Sequence, residues 1–430
     1  MKWRLVVTAL LLVASFFSIS SLTVEGSLVQ IWATRYDGPS GGNDAARAIA
    51  VDARGAVYVT GRSMSGGTSE NDYHYATIKY DIDGNQVWVA RYDGGGDQGD
   101  DAQAIDIDGS GNVYVTGWSS RPASAMGVTD YATVKYDANG NQLWVARYSA
   151  GGGNSSNIAH AIMVDKLGNV YVTGQSELMG IGRDWATIKY DSNGNQLWVV
   201  RYDGPGHGGD EAAKLVVDGQ GNVHVSGKVY GGSTTFFDHA TVKYDANGNQ
   251  LWAAIYDGPA HGDDSGGEIG LDSSGNLYVS FSSSANVYNN HYEYATIKYD
   301  TSGNRLWVAR YDGGHVEDMA VDASGNAYVT GYGGAGIGTN DYVTINYDTN
   351  GNQRWVARYD GPVSGEDVPR AVSVDSSGNV YVTGNSQGNS ADYGDYGTVK
   401  YSSNGSTMGV ARYNGPGNGS DTGVMCMSLV

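Results

Sequence analysis

The chain has 430 residues, a formal net charge of −20, 65 glycines and 32 tyrosines, but only 5 phenylalanines and 7 prolines. That negative excess repels phosphate and argues against a nucleic-acid partner, while glycine without a three-residue period excludes collagen and suits tight turns between short strands. The single cysteine, Cys426, cannot make an internal disulfide, so packing or bound ions must hold the fold.

Residues 1–26 differ in kind from the rest. Lys2 and Arg4 open the segment, Leu5 to Phe17 is an unbroken apolar run, and Ser18, Ser20 and Ser21 follow. This is the layout of a secretory signal peptide. The run is shorter than the roughly 20 residues a membrane span requires. Its removal leaves no membrane span, and a secreted or cell-surface location is expected.

Beyond residue 27 the chain repeats itself. Trp32, Trp88, Trp144, Trp198, Trp252, Trp307 and Trp355 are spaced by 56, 56, 54, 54, 55 and 48 residues, and Met408 takes the eighth place. A period of this length marks a stacked or radial repeat. One period holds four β-prone runs. Residues 102–108 form the first and Val113-Tyr-Val-Thr-Gly117 the second, after a Gly-Ser-Gly-Asn turn. Residues 131–136 form the third. An Asp-x-x-Gly-Asn turn then leads to the fourth, 142–148, which carries the tryptophan. Asp can cap the turn backbone and Gly takes positive φ there without steric cost.

Four short meandering strands repeated seven times predict an all-β fold. It is a seven-bladed β-propeller of four-stranded antiparallel blades, spanning 27–413 and closed by a terminal strand. The second and third strands occur seven times, the outer strand eight times, from 30–36 to 408–413. One terminal strand is therefore displaced or added at the seam. Residues 414–430 read as the start of an eighth repeat.

The V-D-x-x-G-N-V-Y-V-T-G core of Val374 to Gly384 and the D-Y-x-T-V-K-Y-D-x-x-G-N-Q-x-W run of Asp130 to Trp144 resemble the bacterial seven-bladed β-propeller (SBBP) repeat family, over about residues 28–413. The resemblance implies the propeller fold and an exported or surface protein. It brings no catalytic motif.

Two turns per repeat hardly vary, and in an up-and-down blade both lie at one end. The loops between second and third strands vary freely, as do the blade-to-blade connectors, and both fall at the other end. Variable loops on a rigid scaffold are where binding sits. Tyrosines at repeat positions are read as packing. Trp118, Tyr230, Tyr288, Tyr332 and Tyr393, together with Tyr73, Tyr292, Phe236 and Phe237, lie off those positions and become candidate ligand contacts. The repeated Lys and Arg are read as a ladder of charge pairs within each unit. Asp44, Asp100, Asp101 and Asp367 in the connectors suggest an acidic rim, with Asp100, Asp101 and Asp367 as ligand contacts. His207, Asp210, His261 and Asp264 fall at matching places in neighbouring blades, with His315 a further 54 residues on, and suggest a divalent-cation site or an acid–base pair.

The reading that follows is an exported monomeric propeller that binds an extracellular glycan or protein through its variable rim without catalysis, with no cofactor beyond a divalent cation. The alternatives are a hydrolase or lyase acting on polysaccharide or a small metabolite through His207 and His261, and a structural surface or adhesion module.

Overall fold

A computed structural model describes residues 5–7, 28, 30–66, 72–95, 99–122, 127–151, 155–178, 180, 182–232, 236–286, 291–334, 340–388 and 394–414. Apart from Leu5–Val7, the expected signal peptide lies outside the described residues, as do the tail 415–430, Tyr288 and Tyr393. Among the described residues no helix is long and apolar enough to cross a membrane.

The chain starts with β1 (Leu5–Val7) and β2 (Thr34–Tyr36), which pair with each other. Blade 1 follows as an antiparallel meander of β3 (Asp44–Val51), β4 (Val57–Met64), β5 (Tyr73–Tyr80) and β6 (Gln86–Tyr92). Six more blades of the same order occupy 100–148, 157–202, 211–256, 264–312, 315–359 and 367–413. Together they make seven four-stranded sheets arranged in a ring. First strands of consecutive blades pack on one another and line the centre, while the tryptophan-bearing strands lie outermost. Blade 7 is completed by its own last strand, Thr407–Tyr413. The added strand is β2. It sits between blade 7 and blade 1, with Arg35 donating to the Tyr413 hydroxyl and Arg91 to the Tyr36 hydroxyl.

Both constant turns are Asx turns. In the second turn of blade 2, Asp137 accepts from the backbone of Asn139 and Asn141, and from the Asn141 side chain. Gly140 closes the turn at φ 85. These turns are also where one blade grips the next. The Trp88 indole donates to the Ala138 carbonyl at 3.1 Å, and Lys79 reaches the same oxygen at 3.4 Å. Trp144 and Lys135 share the Ser192 carbonyl, and Trp198 and Lys189 that of Ala246. Each lysine also lies over the second-strand tyrosine of its own blade, at 4.9 Å for Lys79 over Tyr58. The lysines therefore serve mostly as staples between blades. Of these third-strand lysines, only Lys243 and Lys298 come within 4 Å of a carboxylate among the described residues.

The outer-strand arginines run a second ladder. Arg147 donates to the Tyr92 hydroxyl of the preceding blade and to Ser119 of its own, and Arg91 and Arg412 repeat the pattern. Arg147, Arg201, Arg310 and Arg412 also pair with a carboxylate at the start of the third strand. This part of the expected charge ladder is present.

Blade 5 shows how tightly the inner strands are built. Elsewhere the glycine closing Val-Thr-Gly has no room for a Cβ. At Gly117 a Cβ would lie 2.1 Å from the Asp101 carbonyl, because the first strand bulges toward it. Blade 5 carries Phe281 there. Its first strand instead has Gly266 and Gly267 at φ 94 and 153, and the ring stacks on His239 at 4.0 Å. His239, in the third strand of blade 4, stands where five other third strands have tyrosine and blade 3 has Trp185, so the three changes compensate one another.

Candidate binding rim

Immediately after Val-Tyr-Val-Thr-Gly the second strands stop repeating. That next position holds Arg62, Trp118, Gln175, Lys228, Ser282, Tyr332 and Asn385 in blades 1 to 7. The register sets each opposite one first-strand residue: Ala45, Asp101, Ile158, Glu211, Ser265, His315 and Val368 respectively. Residues directly opposite in antiparallel strands put their side chains on the same face. Seven chemically unlike pairs thus stand at one equivalent level on the innermost strands, at the end bearing the variable loops. The meander puts both constant turns at the opposite end.

Ion pairs within and between blades organise this level. Arg47 bonds Asp101 at 2.8 Å, and Arg62 approaches the same carboxylate at 3.6 Å. Glu211 holds Lys228 at 3.0 Å and faces His160 at 3.7 Å. Lys214 meets Glu268 at 3.3 Å, and Glu317 meets Arg370 at 2.9 Å. Asp318 sits among these groups. Burial pushes its carboxyl up to about 7, helped by the Glu268 charge.

The aromatic candidates divide. Trp118 and Tyr332 are half-buried on this level. Tyr332 joins His315 at 5.3 Å, and Tyr292 lies 4.4 Å from His315, giving a three-ring cluster between blades 5 and 6. Tyr230 stands further out, edge-on to Phe237 at 5.8 Å and packed over the Gly206 and Gly208 backbone.

The aspartates do something else. Asp44, Asp100, Asp210, Asp264 and Asp367 are buried, 0–6 % exposed. Each accepts the backbone N–H of the glycine six residues earlier, at Gly38, Gly94, Gly204, Gly258 and Gly361. They tie down connectors and do not form an open acidic rim. Asp101 is also buried, but its partners are the two arginines.

His207, Asp210, His261 and Asp264 do not converge. Each histidine is exposed and bonds the aspartate four residues before it, His207 to Asp203 at 2.7 Å and His261 to Asp257 at 2.6 Å. Asp210 groups with Asp184 and Asp203, and Asp264 with Asp238 and Asp257, with ligand atoms within 4.8 Å in each group. Asp341, Asp360 and Asp367 repeat the arrangement between blades 6 and 7. His315 belongs to a first strand and stands with Tyr332.

These buried carboxylates predict a pH effect. Burial, and after it the surrounding backbone bonds and nearby aspartates, set the Asp210 and Asp264 carboxyls, with burial dominant and the pKa raised from 3.8 to about 6. Between those values the folded chain holds protons that the unfolded chain has released, so the contribution of these two groups to stability falls as pH rises from about 4 to about 6 and is level above. The first-turn aspartates act oppositely. Burial pushes Asp108, Asp165 and Asp375 up, but the Asn side chain and turn N–H groups outweigh it and hold them low. Their stabilisation is lost as pH falls below the ordinary carboxylate range. Asp264→Asn, which keeps an oxygen for the Gly258 N–H, should flatten the pH 4–6 slope, whereas Asp210→Asn flattens it but costs stability, because its two oxygens accept the Gly204 and Tyr230 N–H groups and an amide can serve only one of them. Urea unfolding at pH 4.5 and 7 measures both.

Fold and rim together define a seven-bladed β-propeller whose variable residues gather at one inner level. It carries the SBBP repeat: the family model described as Beta-propeller repeat matches residues 361–390, within blade 7 and the connector before it. Three solved structures are similar to this chain. A protein of unknown function from Bacteroides caccae is 12 % identical, covering 66 % of this chain and 90 % of that one, with a TM-score of 0.36. A eukaryotic initiation factor is 9 % identical over 86 % and 88 %, with a TM-score of 0.42. Puromycin hydrolase, as a mutant complexed with PGG, is 12 % identical over 86 % of this chain and 54 % of that one, with a TM-score of 0.46. No curated protein matches the chain.

Proposed function

We propose that this propeller is exported and binds an extracellular glycan or protein segment across the inner level of its variable end, without catalysing a reaction. One observation carries the reading. Seven equivalent positions, embedded in strands that otherwise repeat almost word for word, hold arginine, tryptophan, glutamine, lysine, serine, tyrosine and asparagine. Packing that is the same in every blade has no need of such diversity, whereas recognition of an asymmetric ligand does. Half-buried aromatic faces beside ion-paired carboxylates and amides suit stacking with directional hydrogen bonds. The exported location rests on the charged, apolar and small-residue order of residues 1–26.

The test is a glycan array and a displayed-peptide library probed with the full chain, followed by Trp118→Ala and Tyr332→Ala. Each variant should weaken a captured ligand by roughly 10- to 100-fold while leaving the unfolding midpoint unchanged. Leu167→Ala at the constant end, where the side chain is 83 % exposed, should change nothing. Binding that survives both rim variants and is lost on altering Leu167 would place the site at the wrong end. A sugar hit over a peptide hit decides the ligand class.

A further inference from the structure

Three blade junctions each gather a matching trio of aspartates: Asp184, Asp203 and Asp210 between blades 3 and 4, Asp238, Asp257 and Asp264 between blades 4 and 5, and Asp341, Asp360 and Asp367 between blades 6 and 7. Two of these junctions carry an arginine on the outer strand beside the trio. Arg201 stands opposite Ala186 and bonds Asp184 at 2.8 Å, and Arg358 stands at the same register, opposite Val343. In blade 4 that register holds Ile255, opposite Ala240. The whole outer strand there, Gln250–Tyr256, carries no charged residue.

The hydrogen bonds of this junction differ as well. Asp210 and Asp367 each use both oxygens: one accepts the connector glycine N–H, and the other accepts the N–H of the residue 20 positions on, Tyr230 and Gln387 respectively. At Asp264 the matching N–H, that of Ser284, goes to the Asp263 carbonyl. Asp264 is 0 % exposed, its Oδ2 holds the Gly258 N–H, and its Oδ1 is buried with no hydrogen-bond partner. The Ser283 hydroxyl lies beside that oxygen, out of bonding alignment. A buried carboxylate oxygen left bare in a group that has lost its arginine calls for a cation.

We propose that Asp238, Asp257 and Asp264 bind one Ca2+, which takes the place of the missing arginine and clamps blade 4 to blade 5. Asp238 comes from the third strand of blade 4, Asp257 from the connector and Asp264 from the first strand of blade 5, so one ion ties all three segments. The donor set selects the metal. Three carboxylate oxygens within 4.8 Å of one another suit a hard cation whose ligands sit at about 2.3–2.6 Å. Mg2+ demands a tighter octahedron at about 2.0–2.1 Å, and the group holds neither the imidazole nor the thiolate that Zn2+ favours. Bound calcium keeps Asp264 ionised, so its share of the pH 4–6 slope belongs to the calcium-free chain.

The test is equilibrium dialysis of the EDTA-stripped full chain against radioactive calcium, with thermal unfolding alongside. One Ca2+ per chain should be taken up, and about 1 mM Ca2+ should raise the unfolding midpoint by several degrees while Mg2+ at the same concentration does far less. Asp257→Asn, at the exposed member of the trio, should weaken uptake at least about 10-fold. Ile255→Arg should abolish it by restoring the guanidinium, and if that variant does not fold, Asp257→Asn decides alone. Asp203→Asn, in the blade 3–4 trio, should leave uptake unchanged. Absence of stoichiometric uptake, uptake that survives Asp257→Asn or is lost on Asp203→Asn, or equal stabilisation by Mg2+ would overturn the proposal.

Discussion

Trp144→Ala is expected to lower the stability of the propeller by about 3–5 kcal/mol, the range for deleting a large aromatic ring from a packed site. The indole lies between two blades. It meets Tyr114 of its own blade edge-on at 6.2 Å and Tyr190 of the next at 6.4 Å, while its N–H holds the Ser192 carbonyl. Lys135 remains on that carbonyl after truncation, so the oxygen is not orphaned and most of the loss is packing. Trp144→Phe separates the terms: it keeps an aromatic ring and loses the N–H, and should cost only about 1–2 kcal/mol. Urea unfolding gives the totals. Hydrogen exchange should show faster opening in blades 2 and 3 than in blades 5 and 6, because each staple joins only neighbours.

Gly140→Ala is expected to be nearly as damaging although it adds one methyl group. Gly140 has φ 85, where a Cβ is strained, and that Cβ would lie 2.8 Å from the Trp88 ring. Strain and overpacking together should cost about 2–4 kcal/mol. Gly109, in the other constant turn of the same blade, has no positive φ and nothing within 4 Å of an added Cβ. Gly109→Ala should be neutral or stabilising by about 0.4–1 kcal/mol through the unfolded chain. In the background of Trp88→Ala, the steric share of the Gly140→Ala penalty should vanish and the dihedral share remain. A double-mutant cycle reads this as coupling between residues 52 apart in sequence.

The frame was legible because each blade restates it. Turn chemistry, tryptophan spacing and the alternation of Val-Tyr-Val-Thr are local signals, and seven copies remove their ambiguity. The rim was less legible, for a physical reason. Asp100 and Asp367 look like free acids in glycine-rich loops, but their carboxylates are consumed by the N–H of the connector glycine six residues earlier. His207 and His261 share a repeat position, yet equivalent positions in a ring are separated by a whole blade, so each finds its partner four residues back. The informative signal was the break in repetition after Val-Thr-Gly. It picks out Arg62, Gln175, Lys228 and Asn385 beside Trp118 and Tyr332, and it puts His315 with Tyr332 through the first-strand register. The shared carbonyl beneath each lysine and tryptophan joins different repeats, so spacing within one repeat does not reveal it.

The account depends on diversity at one inner level being for recognition while the blades carry stability. Replacing Arg62, Trp118, Gln175, Lys228, Tyr332 and Asn385 together by serine, the residue blade 5 already has at Ser282, tests this most directly. The predicted result is a chain that unfolds within a few degrees of the parent and binds none of its ligands. A variant that fails to fold, or one that folds and still binds, would contradict it.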